Sequence, residues 1–143
     1  MYFSDRDHLS DYGRLITGDT YFAMTDGPVP TNMYDIFKSL RGDGFFANKA
    51  EEFSKYFVVE NRNFIKPVRK ENLDFLSESD IEKLDDSLEK YGEMSWDEVK
   101  EKSHDYAWRA TAKDCPISLK NILLEKGDSD DYISFVKEMD FVL

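Results

Sequence analysis

An aspartate set on the apolar stripe of the first helix constrains this chain more than any other feature. Residues 1–12, MYFSDRDHLSDY, have helical periodicity, and at 3.6 residues per turn Tyr2, Leu9 and Tyr12 share one face with Asp5 in its middle. A carboxylate on such a face must find a partner or take up a proton, because burying an unpaired charge costs several kcal/mol. His8 lies one turn on, at the edge of the same stripe and within reach of Asp5. Gly13 suits a left-handed helix stop, and Arg14 beyond it is a second possible counter-ion.

The residues after this helix read as bends. Thr17, Gly18 and Asp19 form a turn, 21–24 is a short apolar run, and Asp26, Gly27, Pro28, Val29 and Pro30 make a rigid corner. Pro30 fits the first turn of a helix over 29–40, where its missing N–H would have had no partner. In that helix Val29, Met33, Ile36, Phe37 and Leu40 repeat at core spacing. The simplest account of Asp5 and His8 is a latch from helix to loop, in which Asp5 accepts from backbone N–H groups or from Arg14 and sets the bend between Gly13 and Gly18. Gly27 then supplies backbone shape, and Pro28 and Pro30 stiffness. A second reading stays open, in which Asp5, His8 and His104 form a metal or acid–base cluster, since two imidazoles and a carboxylate can make an open three-ligand site.

Further along, a short helix is expected near 49–55, and then a β-hairpin with strands 57–60 and 64–68 joined through Asn61, Arg62 and Asn63. Pro67 marks the second strand as an edge or an end. Ser77 with Asp80, and Ser95 with Glu98, are capping boxes that open two helices. The first carries the core stripe Ile81, Leu84, Leu88 and Tyr91. In the second, Trp96, Val99, Ser103 and Tyr106 share a face, so His104 and Trp108 point nearly the other way. Either the helix breaks at Ser103 and restarts, or His104 and Trp108 line a surface that something covers. Helices starting near Ser118 and Ser129 follow, before the apolar end Phe141, Val142 and Leu143. The expected architecture is α+β and predominantly helical, a single compact domain with a motif region at 1–42, a hairpin at about 57–68 packed on it, and C-terminal helices over about 78–140.

Composition narrows the function classes. With 41% hydrophobic and 15% aromatic residues the chain can bury a core. Its 30 acidic and 19 basic residues give a net charge of −11, which disfavours direct binding to nucleic acid or an anionic bilayer, and two readings of it stay open: it steers a basic protein partner inward, or it only keeps the protein soluble. The single Cys115 allows no intrachain disulfide and no structural zinc set. No signal peptide and no membrane span are read, so a cytoplasmic protein without cofactor or bound metal is expected.

Tyr2, Phe3, Asp5, His8, Leu9, Tyr12, Gly13, Arg14, Thr17, Gly18, Tyr21 and Ala23, then the run from Gly27 through Pro28 and Val29 to Pro30 with Tyr34, carry a resemblance to a known family. Leu76, Ser77 and Asp80, and Ser103, His104 and Trp108, echo it later. Together they resemble the Panacea family, also called SocA-like antitoxin domains, of bacterial and phage toxin–antitoxin pairs. Family members usually carry more helical sequence ahead of this motif, whereas Met1 stands directly before it here, which leaves either a late gene start or a missing part of a packing helix. The resemblance implies an antitoxin that binds and neutralises a cognate toxin protein, by direct contact or as an adaptor for proteolysis, with a protease or chaperone as a further partner.

Overall fold

The structure, a computed structural model, describes residues 1–140, so the apolar end 141–143 lies outside the described residues. The fold is α+β and predominantly helical. Its contacts group into two units, Met1–Pro30 with Leu76–Leu143, and Thr31–Phe75.

The first unit is built on helix α1 (Tyr2–Tyr12), which ends where Gly13 adopts φ 77° and returns its N–H to the Leu9 carbonyl. Strands β1 (Tyr21–Met24) and β2 (Gly27–Pro30) follow as an antiparallel hairpin in which Phe22 faces Val29 and Ala23 faces Pro28. This hairpin is a correction to the sequence reading. Residues 27–30 of the corner form a strand, and the next helix starts at Thr31, not at Val29.

The prolines are compatible with the strand because of which way their neighbours point. The Ala23 N–H donates to the Cys115 carbonyl, while Asp114 N–H and Ile117 N–H donate to the Ala23 and Tyr21 carbonyls, so Tyr21 and Ala23 turn away from β2. By the alternation of an antiparallel pair, Pro28 and Pro30 opposite them also turn outward, where no ladder donor is needed.

Among the described residues, five more helices belong to this unit: α4 (Glu78–Tyr91), α5 (Trp96–Ser103), α6 (Tyr106–Arg109), α7 (Leu119–Lys126) and α8 (Asp130–Asp140). Both capping boxes form as read, with Ser77 accepting from Asp80 N–H and Ser95 from Glu98 N–H. The core gathers Tyr2, Leu9, Tyr21, Ile122, Leu123 and Val136. Four stripe residues are exposed: Tyr12, Trp96, Tyr106 and, on α4, Leu88, where the buried face is led instead by Asp80.

The second unit holds α2 (Thr31–Leu40), a 3-10 turn (Ala47–Lys49), α3 (Ala50–Phe53), and strands β3 (Phe57–Glu60) and β4 (Phe64–Pro67). The hairpin pairs as expected, Phe57 with Pro67 and Glu60 with Phe64, and its tight turn places Asn61 and Arg62 at positive φ. Phe37 of α2 meets Phe57 edge-on at 5.6 Å. Met33, Ile36 and Phe37 are half-buried and do not form a closed core, because a hairpin of four-residue strands covers only part of a ten-residue helix.

Gly27 has φ 124°, and a Cβ there would stand 2.5 Å from Ser103 Oγ, whereas Gly18, at φ 64°, would meet nothing within 4 Å. Gly27→Ala is expected to cost about 2 kcal/mol or more in urea denaturation, and Gly18→Ala about 1 kcal/mol. Adding Ser103→Ala should return part of the Gly27→Ala loss, since the nearest clashing atom is then gone.

Candidate functional site

Helix α1 carries buried polar side chains at positions where apolar ones would ordinarily pack, and each reaches a different part of the first unit. Asp5 has no exposed surface. Its Oδ1 accepts from the backbone N–H groups of Ile16 (2.7 Å) and Thr17 (3.0 Å). Its Oδ2 accepts from the Thr17 hydroxyl and, at 2.6 Å, from the Tyr21 hydroxyl. One carboxylate thus fixes the turn after α1 and the start of β1 together. The Thr17 Oγ1 in turn accepts from Asp19 N–H, which extends the bend through Gly18.

Of the two donors the latch reading allowed, Asp5 takes backbone N–H groups, with two hydroxyls beside them, and not Arg14. The Arg14 guanidinium donates to Asp80 Oδ1 at 2.8 Å and to Ser77 Oγ at 3.2 Å, at the N-terminus of α4. Nor does His8 serve Asp5. Its fully buried imidazole has Nδ1 2.9 Å from the Arg14 carbonyl, an acceptor, so that nitrogen carries a hydrogen. Its Nε2 lies 3.0 Å from Ser79 Oγ and 3.1 Å from Asp80 Oδ1. Asp80 therefore caps α4, holds Arg14 and faces His8. Burial pushes its carboxyl up, but the Ser77 and Arg14 hydrogen bonds outweigh that and leave it below the usual value.

A further cluster, which sequence reasoning missed, joins α1 to α6. Asp105 Oδ2 accepts from the Tyr2 hydroxyl at 2.8 Å and from Arg6 Nη1 at 3.2 Å, while its Oδ1 caps α6 at Trp108 N–H. The Arg6 guanidinium also lies over the Phe3 ring, which stacks on Tyr91. The local half of this cluster is legible, since Asp105 stands three residues before Trp108 at an N-cap spacing, but its pairing with Tyr2 and Arg6 has no local signal.

The remaining sequence-predicted residues fall in separate places. The helix breaks after Ser103, with His104 as its C-cap and Asp105 capping the restart, so the break is real and one residue pair later than Ser103. His104 and Trp108 stack at 3.8 Å with planes 8° apart, Trp108 Nε1–H donates to the Met24 carbonyl, and His104 Cδ2 lies against Gly27. His104 thus has surroundings unlike those of Asp5 and His8. Among the described residues no three His, Cys, Asp or Glu side chains group as metal ligands. Tyr12 lies beside the His8 ring at 4.7 Å, and Tyr34, in the second unit, lies under the Lys38 ammonium.

Beside the latch is a cleft of about 390 Å³. Leu9, Leu15, Tyr21, Leu119, Ile122 and Met139 supply apolar wall, and Arg14, Asp19 and Asp140 are its charged lining residues. It opens directly over the Gly13 to Gly18 bend that Asp5 holds.

The family model for the antitoxin SocA-like, Panacea domain matches residues 1–109. The chain belongs to that family. No curated protein and no solved structure matches it. The matched span contains every member of the Asp5, His8 and Asp105 networks, and α7 and α8 lie beyond it. The family is one of antitoxin-like domains and carries the expectation of a toxin partner in general. Among the described residues no helix is long and apolar enough to cross a membrane.

Asp5→Asn should destabilise the protein by about 3 kcal/mol in urea denaturation, since the new amide NH₂ confronts donors that need an acceptor and the buried bonds lose their charge. Tyr21→Phe, which removes one donor and leaves Asp5 three others, should cost about 1 kcal/mol.

Burial first, and then the nearby Asp5 charge, push the Tyr21 phenol well above its usual 10.0, as burial and Asp105 do for Tyr2. Because the folded state favours the protonated phenol, this stabilisation is complete below pH 10.0 and declines as pH rises beyond it. Stability measured against pH should therefore fall above that point, and less steeply in Tyr21→Phe.

Proposed function

We propose that this protein is an antitoxin that neutralises its cognate toxin by docking it on the first unit, over the cleft beside the Asp5 latch. The observation that carries this reading is the preformed bend. Backbone from Gly13 to Tyr21 is tied to one buried carboxylate before any partner arrives, so docking on it loses little conformational entropy. The cleft takes an apolar side chain of the toxin, because most of its wall is aliphatic and aromatic.

Charge gives the toxin's docking face a sign. The unit formed by 1–30 and 76–143 holds 23 acidic and 11 basic residues, a net −12, so a cationic toxin surface is drawn to it. Neutralisation here is by occupation. The buried polar clusters are spent on internal hydrogen bonds and hold shape rather than perform chemistry.

Co-expression with the adjacent gene tests the reading. Growth should be arrested by the neighbour alone and restored with this chain present, and a harmless neighbour would count against the assignment. Met139→Glu places a charge in the exposed mouth of the cleft and should abolish rescue while leaving the melting temperature within a few degrees of the parent. Toxin levels in the rescued cells separate occupation, which leaves them unchanged, from delivery to a protease, which lowers them.

A further inference from the structure

The net charge of −11 conceals a division. All of it lies in the first unit, while the unit Thr31–Phe75 has eight Lys and Arg against seven Asp and Glu. Within that unit the cations concentrate on the hairpin and its exit: from Lys55 to Lys70 there are five, with Glu60 as the one acid. Lys66 is paired with Glu60 at 2.8 Å, but among the described residues Lys55 and Lys70 have no carboxylate within ion-pair distance.

The stretch and its continuation to Phe75, which adds the acids Glu71 and Asp74, hold exposed apolar surface. Phe64 and Phe75 are 63% and 90% exposed, with Val58, Val68 and Leu73 also uncovered. A cleft of about 510 Å³ opens here, lined by Tyr56, Phe57, Pro67, Arg69, Lys70 and Phe75, with Glu71 and Asn72 at its remaining wall. It is an organised site. The Arg69 guanidinium lies 4.0 Å from the Tyr56 ring centroid, Val68 N–H donates to the Tyr56 carbonyl and carries the ladder one pair past β4, and Asn72 Oδ1 accepts from Asp74 N–H to hold the bend before Phe75.

We infer that this cleft docks an acidic protein segment that inserts an apolar side chain between Tyr56 and Phe75 and sets flanking carboxylates against Arg69 and Lys70. The inference stands apart from the antitoxin reading, which concerns the other unit and a partner surface of opposite charge. Recognition is by side chains and not by strand addition. Because Val68 turns its N–H to β3, alternation turns Ile65 and Pro67 to the outer edge of β4, and Pro67 has no N–H to offer there. A nucleic-acid strand is the poorer occupant: Tyr56, Phe64 and Phe75 offer rings to stack on, but a strand brings one phosphate per nucleotide against a chain of net charge −11, and Glu71 stands in the cleft wall.

The test is fluorescence anisotropy of the full chain with three labelled probes of equal length: a peptide alternating Glu and Asp with Phe and Leu, the same peptide with Lys for each acid, and a single-stranded oligothymidylate. The acidic peptide should bind about tenfold more tightly than either other probe and weaken severalfold from about 50 to about 200 mM salt. Arg69→Glu with Lys70→Glu should cost about tenfold or more with an unchanged circular dichroism spectrum. Phe75→Ser, at a side chain already in water, gives an independent loss without a folding risk. In amide NMR spectra the acidic peptide should shift Tyr56, Arg69 and Phe75 and leave Thr17 in place. Equal binding of the lysine peptide, an unaffected charge-reversed variant, or tighter binding of the oligothymidylate would overturn the assignment, the last in favour of nucleic acid.

Discussion

The first unit depends on a buried carboxylate that has been given enough donors. Asp5 sits where a leucine would pack, and its removal from water is offset only because Ile16, Thr17 and Tyr21 all point hydrogen at it. Those donors come from two further segments, so the arrangement works in both directions. The charge is tolerated because the loop returns to it, and the loop has one shape because the charge is there. Leucine at position 5 could hold the helix against the core but could not choose among loop conformations, since apolar contact is non-directional.

The same logic recurs twice along α1, at His8 with Arg14, Ser79 and Asp80, and at Tyr2 and Arg6 with Asp105. In each case a side chain of α1 reaches a helix N-terminus far away in sequence, where a capping aspartate has an oxygen to spare. Asp80 and Asp105 each satisfy an orphan N–H at the start of a helix with one oxygen and accept from an arginine with an oxygen as well. Capping and long-range docking are thereby the same interaction. This is why α4 and α6 find α1 although Leu88 and Tyr106 on them remain exposed.

How much of this was legible in the sequence follows from the kind of signal. Asp5 announced itself as a charge on an apolar stripe, and the hairpin after Phe57, the two capping boxes and the helices from Ser118 and Ser129 were all local patterns of a few residues. The β1–β2 hairpin was hidden because Pro28 and Pro30 argue against a strand unless their outward register is known, and that register is set by Cys115 and Ile117, far along the chain. Arg14 reads as a possible counter-ion for Asp5 on the same short stretch, whereas the fold hands it to Asp80. Asp105 was invisible as a hub because its partners Tyr2 and Arg6 are about a hundred residues away. Partners at short range were readable, and partners at long range were not.

Whole-chain charge misleads for a related reason. A sum of −11 describes the field felt at distance, where an approaching molecule sees an acidic protein, but within a Debye length of about 10 Å only local groups matter. There the stretch from Lys55 to Lys70 is cationic and aromatic, and the bend held by Asp5 lies in a unit that is strongly acidic. Sorting has a use when two faces must attract unlike partners, because each face then repels the other's ligand as well as recruiting its own.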